Sequence, residues 1–469
     1  MSELESRAAP QELVEAALAR SAADGCVVIA AERSETNLRW ANNSLTTNGQ
    51  MASHSLTVIS TVEGADGTAA GVVTRSVSGD GELTALVRDS EAAARASGPA
   101  DDAAPLVAPY DHDDDWAAEP GRTSVEVFAE FADGLATALD AARARDRALF
   151  GFAEHVVTSN FLGTSTGLRR RWDQPTGRLE LNAKSADLTR SAWAGAQTKD
   201  FTDVDAAATA EQLAVRLGWA QTRIDLPPGR YETILPPCAV SDLLVYVLIA
   251  AASARDAEEG RSVFSGAVEG STRIGEQLSA LPLRLYSDPQ APGVECAPFS
   301  LAAASWGGLQ SVFDNGEPIE RTDWIRDGRL HDLIRGRAWA AKTDTPSRPM
   351  VDNLLLDAGG SASVEDMIAN TERGLLLTTL WYIREVDPQN LLLTGLTRDG
   401  VYLVENGAVT GAVNNFRWNE SPVGLLGRVT EVGRAEATLP REWNDYFTRA
   451  VMPPLRIPDF NMSTVSAAS

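Results

Sequence analysis

The chain is poor in the residues from which most metal and redox sites are built. Its 469 residues include four histidines and three cysteines. His54, His112, His155 and His331 are far apart, so no two stand at the i, i+4 spacing that lets imidazoles on one helix share a metal ion. Cys26, Cys238 and Cys296 are odd in number and widely spaced. That argues against a disulfide framework and makes the cytoplasm the expected compartment. Basic residues are also scarce, 41 Lys and Arg against 65 Asp and Glu, and the resulting charge of −24 repels nucleic acid and anionic lipid surfaces. Neither nucleic acid nor membrane is an expected partner. The longest apolar run, residues 243–252 of AVSDLLVYVLIAAASARD, is about half of the ~20 residues that cross a bilayer and reads as a buried helix. MSELESRAAPQELVEAALAR lacks the basic start and apolar core of a secretion signal, so no export is expected. There is no G-x-S-x-G elbow and no Walker loop, and GSTRIGEQ lacks the strand and helix that a nucleotide loop requires.

What is present reads as an α+β protein of two domains, 1–223 and 224–469. A helix begun by Pro10 carries Leu13, Val14, Ala17 and Leu18 on one face. CVVIAAE, NLRWANN, SLTVISTV and TAAGVVTRSV follow as short strands, divided by Asn-Asn-Ser and GADG turns, and predict an antiparallel meander. Two amphipathic helices come next, separated by DDAAPLVAPYDHDDDWAAEPG, expected to be a solvated loop. Its Asp113, Asp114 and Asp115 lack the Gly and distal Glu of a calcium loop. Three further strand-type runs, ALFGFAEHVVTSNFL, GTSTGLRRRWDQ and GRLELNAKSA, precede a helix capped by Asp203 or Asp205. The second domain opens on the apolar helix at about 239–257. It then reads as antiparallel and β-rich, with hairpin signals at the Asn-Gly and Asp-Gly dipeptides of FDNGEPIERTDWIRDGRL and VYLVENGAVTGAVNNFRWN. The tail NMSTVSAAS is expected to fray.

Three features invite a chemical reading. Cys238 precedes a helix whose dipole would lower a thiol pKa, against the plainer reading of a buried structural Cys beside Pro236 and Pro237. His155, among Phe150, Phe152 and Val156, reads as a satisfied strand histidine before it reads as a base. Arg169, Arg170 and Arg171 read as a solvated or interface-pairing edge. No catalytic, cofactor-binding or metal-binding residue follows from the sequence.

The order of segments says more. YETILPP before an apolar helix, FSGAVEGSTRIGEQLS, LRLYSDPQAPGVECAPF, FDNGEPIERTDWIRDGRL, SVEDMIANTERGLLLTTLW, VYLVENGAVTGAV and LLGRVTEVG stand in the order in which the TldD/PmbA family of zinc peptidases carries such landmarks. The chain resembles that family over nearly its whole length. The catalytic type has His-Glu-x-x-x-His on the helix after the strand and a cysteine near the C-terminus. Here SDLLVYVLIAAASARD offers neither His nor Glu in those places, and no cysteine follows Cys296. The resemblance therefore implies the non-catalytic, PmbA (TldE)-like type. Such a subunit carries no cofactor of its own, zinc being expected in a TldD-type partner, and the heterodimer encloses a chamber where unfolded peptides lie along sheet edges and are trimmed. The VYLVENGAVTGAVNNFRWN hairpin and GLLLTTLW are the segments expected to form interface or channel. YIREVDPQNLLLTGLTRDG and residues 434–452 depart from the family pattern. The alternatives are a stand-alone peptide-binding or regulatory protein derived from a peptidase, and a hydrolase working through Cys238.

Overall fold

The computed structural model describes residues 8–466 except Asp113 and Asp399, and it is α+β. Its first helix, α1 (Pro10–Arg20), has Pro at its start and buries Leu13, Val14 and Ala17. β1 (Gly25–Ala41), β2 (Ser44–Gly64), β3 (Gly67–Arg75) and α2 (Asp80–Ala96) follow, then α3 (Ala129–Ala144), β4 (Arg147–Thr164), β5 (Arg169–Ser185), β6 (Ser191–Thr198) and α4 (Ala206–Trp219). The six strands form one antiparallel sheet in the order β3-β2-β1-β4-β5-β6. α1 and α2 pack on Val28, Ala30, Leu56 and Val58 of β1 and β2, whereas α3 and α4 cover Trp40, Leu179 and Leu181. Gly151 is required here, because a Cβ would stand 2.3 Å from the buried Trp40 ring.

The strands are fewer and longer than the sequence pattern suggests. CVVIAAE and NLRWANN are one strand, paired without a break from Gly25↔Thr61 to Arg39↔Thr47. The polar residues between them are no interruption, because main-chain ladder bonds do not depend on which side chains meet water. ALFGFAEHVVTSNFL, GTSTGLRRRWDQ and GRLELNAKSA likewise make two strands rather than three. Pro175 lies inside β5 opposite Val157, at a point where β6, which pairs only from Gly177 onward, leaves one side of β5 open. β6 itself gave no strand signal in SAWAGAQT, rich in Ala. Asp205, not Asp203, caps α4, its Oδ1 accepting the Ala208 amide at 2.9 Å.

The acidic connector is not simply a solvated loop. Asp114 accepts from Arg170 Nη2 at 3.2 Å and also pairs with Arg170 Nε, the Tyr110 hydroxyl donates to Gly316 O at 2.8 Å, and Trp116 packs edge-on against Phe161 at 5.7 Å. Arg170, only 4% exposed, is therefore an internal tie and not an edge residue. Its guanidinium also lies 4.2 Å from the Phe299 ring, joining the first sheet to the second half. Asp113, one of the three acids weighed for calcium, lies outside the described residues.

The second half contains β7 (Arg223–Ile224), β8 (Gly229–Leu235), α5 (Pro237–Tyr246), a π turn at Val247–Ala251 and α6 (Ala254–Glu258). The predicted single helix thus breaks in two, the Ser253 hydroxyl capping α6 by accepting the Asp256 amide at 3.1 Å. A small sheet holds β9 (Arg284–Ser287), β10 (Thr322–Arg326), β11 (Arg329–Leu330) and β12 (Leu354–Asp357). The large sheet adds β13 (Arg373–Leu377), β14 (Leu380–Asp387), β15 (Leu392–Thr397), β16 (Val401–Glu405), β17 (Ala408–Val413), β18 (Phe416–Glu420) and β19 (Glu431–Val432). β20 (Glu436–Thr438) and β21 (Ala450–Met452) then join the small sheet, and β22 (Leu455–Val465) the large one.

The large sheet runs β14-β15-β18-β22-β8-β13-β16-β17-β7, mostly antiparallel but with parallel pairs at β8–β13 and β17–β7. Asn406–Gly407 turns the β16–β17 hairpin and Asp327–Gly328 turns β10–β11, as predicted. Asn315–Gly316 makes no hairpin, because the Asn315 amide is buried and holds both the N–H and the C=O of Ala302. The tail is also not frayed through residue 465, since β22 is paired between β8 and β18; residues 467–469 lie outside those described.

Candidate functional site

α5 enters the main core of the second half with Val240, Leu243, Leu244 and Val245 almost wholly buried. Each such aliphatic side chain contributes about 1.5–3 kcal/mol relative to exposure, so this helix is held as core. Within α5 and the π turn the ionisable side chains are Cys238, Asp242 and Tyr246. Cys238 Sγ lies 4.0 Å from Asp242 Oδ2. Burial pushes the Cys238 thiol well above its usual range and the neighbouring Asp242 pushes it further, outweighing any help from the helix dipole. The raised pKa favours the plainer reading of a structural cysteine over that of an activated thiol. Cys238 itself is half-buried, whereas Cys26 and Cys296 are buried, their thiols pushed up to about 11 and about 12, by desolvation first.

Asp242 went unnoticed in the sequence, although a lone Asp in an apolar run is the available signal. It is 0% exposed, and burial raises its pKa well above the carboxylate range. Its Oδ1 accepts the Glu442 amide at 2.8 Å, and its carbonyl accepts Trp443 Nε1 at 3.3 Å. The Glu442 carboxylate in turn accepts the Tyr382 and Ile383 amides, both at 3.0 Å, where β14 is irregular and Tyr382 has φ of +56°. Tyr246 completes the joint, its ring edge-on to Trp443 at 4.7 Å and its hydroxyl donating to Ile383 O at 3.2 Å. Within residues 434–452, expected to depart from the family pattern, Glu442 and Trp443 thus clamp α5 to the edge strand β14.

The histidines remain apart. His155 Nε2 donates to Lys199 O at 2.8 Å while Nδ1 meets Thr123 Oγ1 at 2.7 Å. Burial lowers its pKa, which is the behaviour of a satisfied strand histidine. His54 meets Ser76 Oγ at 2.5 Å, His112 lies 3.6 Å from Asp114, and His331 is exposed. Among the described residues no three His, Cys, Asp or Glu side chains converge as metal ligands. The zinc of the family's catalytic type does not fit the groups on α5, which are a thiol and a carboxyl whose burial favours the protonated form.

Several clefts lie between the halves, and two of them bear on function. One, of about 690 Å3, lies between Trp172 and Gln174 of β5 and Ile249, Phe299, Trp306 and Trp443 of the second half. Asp314 borders it, with Oδ1 buried and lacking a hydrogen-bond partner. Burial pushes Asp314 up to about 6 and the following Glu317 up to about 7. The other cleft, of about 1000 Å3, runs between Asn182 and Lys184 of β5 and the β16–β17 hairpin, with Trp381 of β14 at its side. Both segments singled out as interface or channel, the hairpin and GLLLTTLW, contribute to its wall.

Residues 228–464 match the family model of the PmbA/TldA metallopeptidase C-terminal domain, and residues 122–220 match the central domain of the same family. No curated protein matches the chain. Among solved structures, TldE from Thermococcus kodakarensis superposes with a TM-score of 0.79 at 16% identity, covering 97% of this chain and 99% of that one. A protein described as a modulator of DNA gyrase from Thermotoga maritima gives 0.73 at 16% identity over 93% and 95% of the two chains. One so described from Bacteroides thetaiotaomicron gives 0.74 at 14% over 97% and 98%. With the family models spanning most of its length, the chain belongs to the PmbA/TldD metallopeptidase family and has a TldE-like fold.

Proposed function

We propose that this chain is the non-catalytic subunit of a two-component TldD/TldE-type zinc metallopeptidase that degrades or trims unfolded peptides and peptide precursors in the cytoplasm. A TldD-type subunit supplies the zinc, and the two subunits enclose the chamber. The observation that carries the reading is α5. Zinc hydrolysis needs protein ligands, an open water position and a base, whereas this helix and the π turn after it present Val245, Val247, Leu248 and Ile249 with one buried, hydrogen-bonded Asp242. What the subunit contributes is surface. The cleft of about 1000 Å3 holds the extended peptide beside the sheet, with residues 1–223 forming one wall and the domain from 224 onward the other.

The test is zinc content and peptide cleavage of the purified chain, alone and mixed with the catalytic-type relative from the same organism, with assembly followed by size-exclusion chromatography. Cleavage only in a one-to-one complex, with zinc in the partner, is expected. Stoichiometric zinc or cleavage by this chain alone overturns the proposal. A stable homodimer that ignores the relative yet binds peptide supports instead the stand-alone binding protein.

A further inference from the structure

We infer that the cleft of about 1000 Å3 selects acidic stretches of extended peptide; this rests on the peptide-holding reading of the same cleft and names the substrate class. Among the described residues its charged lining is Lys184, Arg190, Arg223, Arg398 and Arg441, against a single acid, Asp225. That is the reverse of the chain as a whole, where acids outnumber bases 65 to 41. The cations come from separate elements, β5, the β5–β6 turn, β7, the β15–β16 turn and the clamp segment, so the fold and not a run in the sequence brings them together.

Three of the five make no salt bridge among the described residues, although the charge of Arg190 is felt by Asp187 on the same turn. Among the described residues Lys184, Arg190 and Arg223 form no ion pair. Lys184 lies over the Phe150 ring at 5.7 Å, Arg190 Nη1 donates to Leu217 O at 3.2 Å, and Arg223 Nη2 donates to Thr189 O at 3.0 Å. Asp187 on the β5–β6 turn is held by Ser185 Oγ at 2.6 Å and the Thr189 amide at 3.2 Å. Arg441 is fixed between the rings of Trp193 at 4.7 Å and Trp381 at 4.8 Å. Like charges gathered in a cleft with low-dielectric walls focus a field that a bound anion relieves.

The walls favour a peptide over other anions. β7, whose residues Arg223 and Ile224 border the cleft, ends its sheet, and among the described residues no strand pairs with its outer side. The Asn182 side chain has no hydrogen-bond partner among the described residues and supplies both donor and acceptor for a peptide group. A sheet edge beside amide and cationic side chains suits main-chain pairing with carboxylates alongside. A long polyanion is opposed by the chain's net charge.

The test uses the full chain and three dansyl-labelled dodecapeptides, alike except that one is rich in Glu, one in Gln and one in Lys, with binding followed by fluorescence anisotropy. The Glu peptide is expected to bind about 10-fold more tightly than the Gln peptide, the yield of a few exposed ion pairs acting together. The Lys184→Gln/Arg223→Gln variant, and separately Arg190→Gln, are expected to erase or shrink that gap, while Arg75→Gln on β3 leaves it intact. Without local selection the net charge would favour the Lys peptide. Equal binding of Glu and Gln peptides, preference for the Lys peptide, or an unchanged gap in both groove variants overturns the charge selection and leaves peptide holding in place. Binding of no peptide overturns both readings. Tighter binding of a thymidine oligonucleotide than of the Glu peptide overturns this assignment in favour of nucleic acid.

Discussion

The Glu442 amide donates to Asp242 Oδ1 at 2.8 Å, across 200 residues of sequence, and the same Glu442 uses its carboxylate to hold two amides of the edge strand β14. A buried acid on the central helix is thereby tied to the rim of the sheet. The tie needs an acceptor at Asp242 but not a charge. Asp242→Asn is therefore expected to fold with stability equal to or above that of the parent. Asp242→Ala leaves the Glu442 amide unpaired and is expected to lose about 1–3 kcal/mol in urea unfolding. Equal loss in both variants would show that the charged form is the one that matters.

Asp314 and Glu317 form a second group of buried acids, pushed up to about 6 and about 7. Because their folded pKa values lie above the unfolded ones, the stability they contribute is fully present below about pH 4 and is lost as pH rises through 6 to 7. Asp314→Asn with Glu317→Gln is expected to flatten this part of the stability profile, by on the order of 2 kcal/mol at pH 8. Urea midpoints between pH 5 and 8 measure it. A double variant that falls as steeply as the parent would place the titration elsewhere.

Arg170, paired with Asp114 and stacked on Phe299, joins the first sheet to the second half from a site with little solvent. Arg170→Met strands the Asp114 carboxylate and is expected to cost about 3–5 kcal/mol. Adding Asp114→Asn removes the stranded charge and is expected to recover part of that loss. Thermal unfolding of the two single variants and the double variant gives the coupling. Strict additivity would show that the pair does not act as a unit.

All three thiols are pushed up by burial, Cys238 furthest. The thiolate is the reactive form, so iodoacetamide at neutral pH is expected to label the folded chain at least ~10-fold more slowly than the chain in denaturant. Mass spectrometry after timed quenching identifies each site. Fast, selective labelling of Cys238 in the folded chain would revive the reading of a cysteine hydrolase.

The sequence by itself determined the local grammar of this protein. The Pro10 start of α1, the Asn406–Gly407 and Asp327–Gly328 hairpins and the apolar face of α5 all follow from residues close together in the chain. The same holds for the missing ligand pattern on α5, because zinc-binding helices display their residues at fixed local spacing. Strand length was less legible. Residues 33–36 of β1 look like a break, and SAWAGAQT of β6 like no strand, because their pairing is fixed by neighbours on the sheet and not by their own pattern. The break in the helix before Ser253 and the pairing of the tail in β22 were likewise settled by packing.

Only the tertiary structure decided the sites. Asp242 and Glu442, or Lys184 and Arg223, carry no mutual signal in the sequence, since a field or a hydrogen bond depends on distance in space and on how much water the surrounding fold excludes. A chain with a charge of −24 can for that reason hold a basic cleft. The arginines that read as an outer edge can for the same reason become, at Arg170, an internal tie.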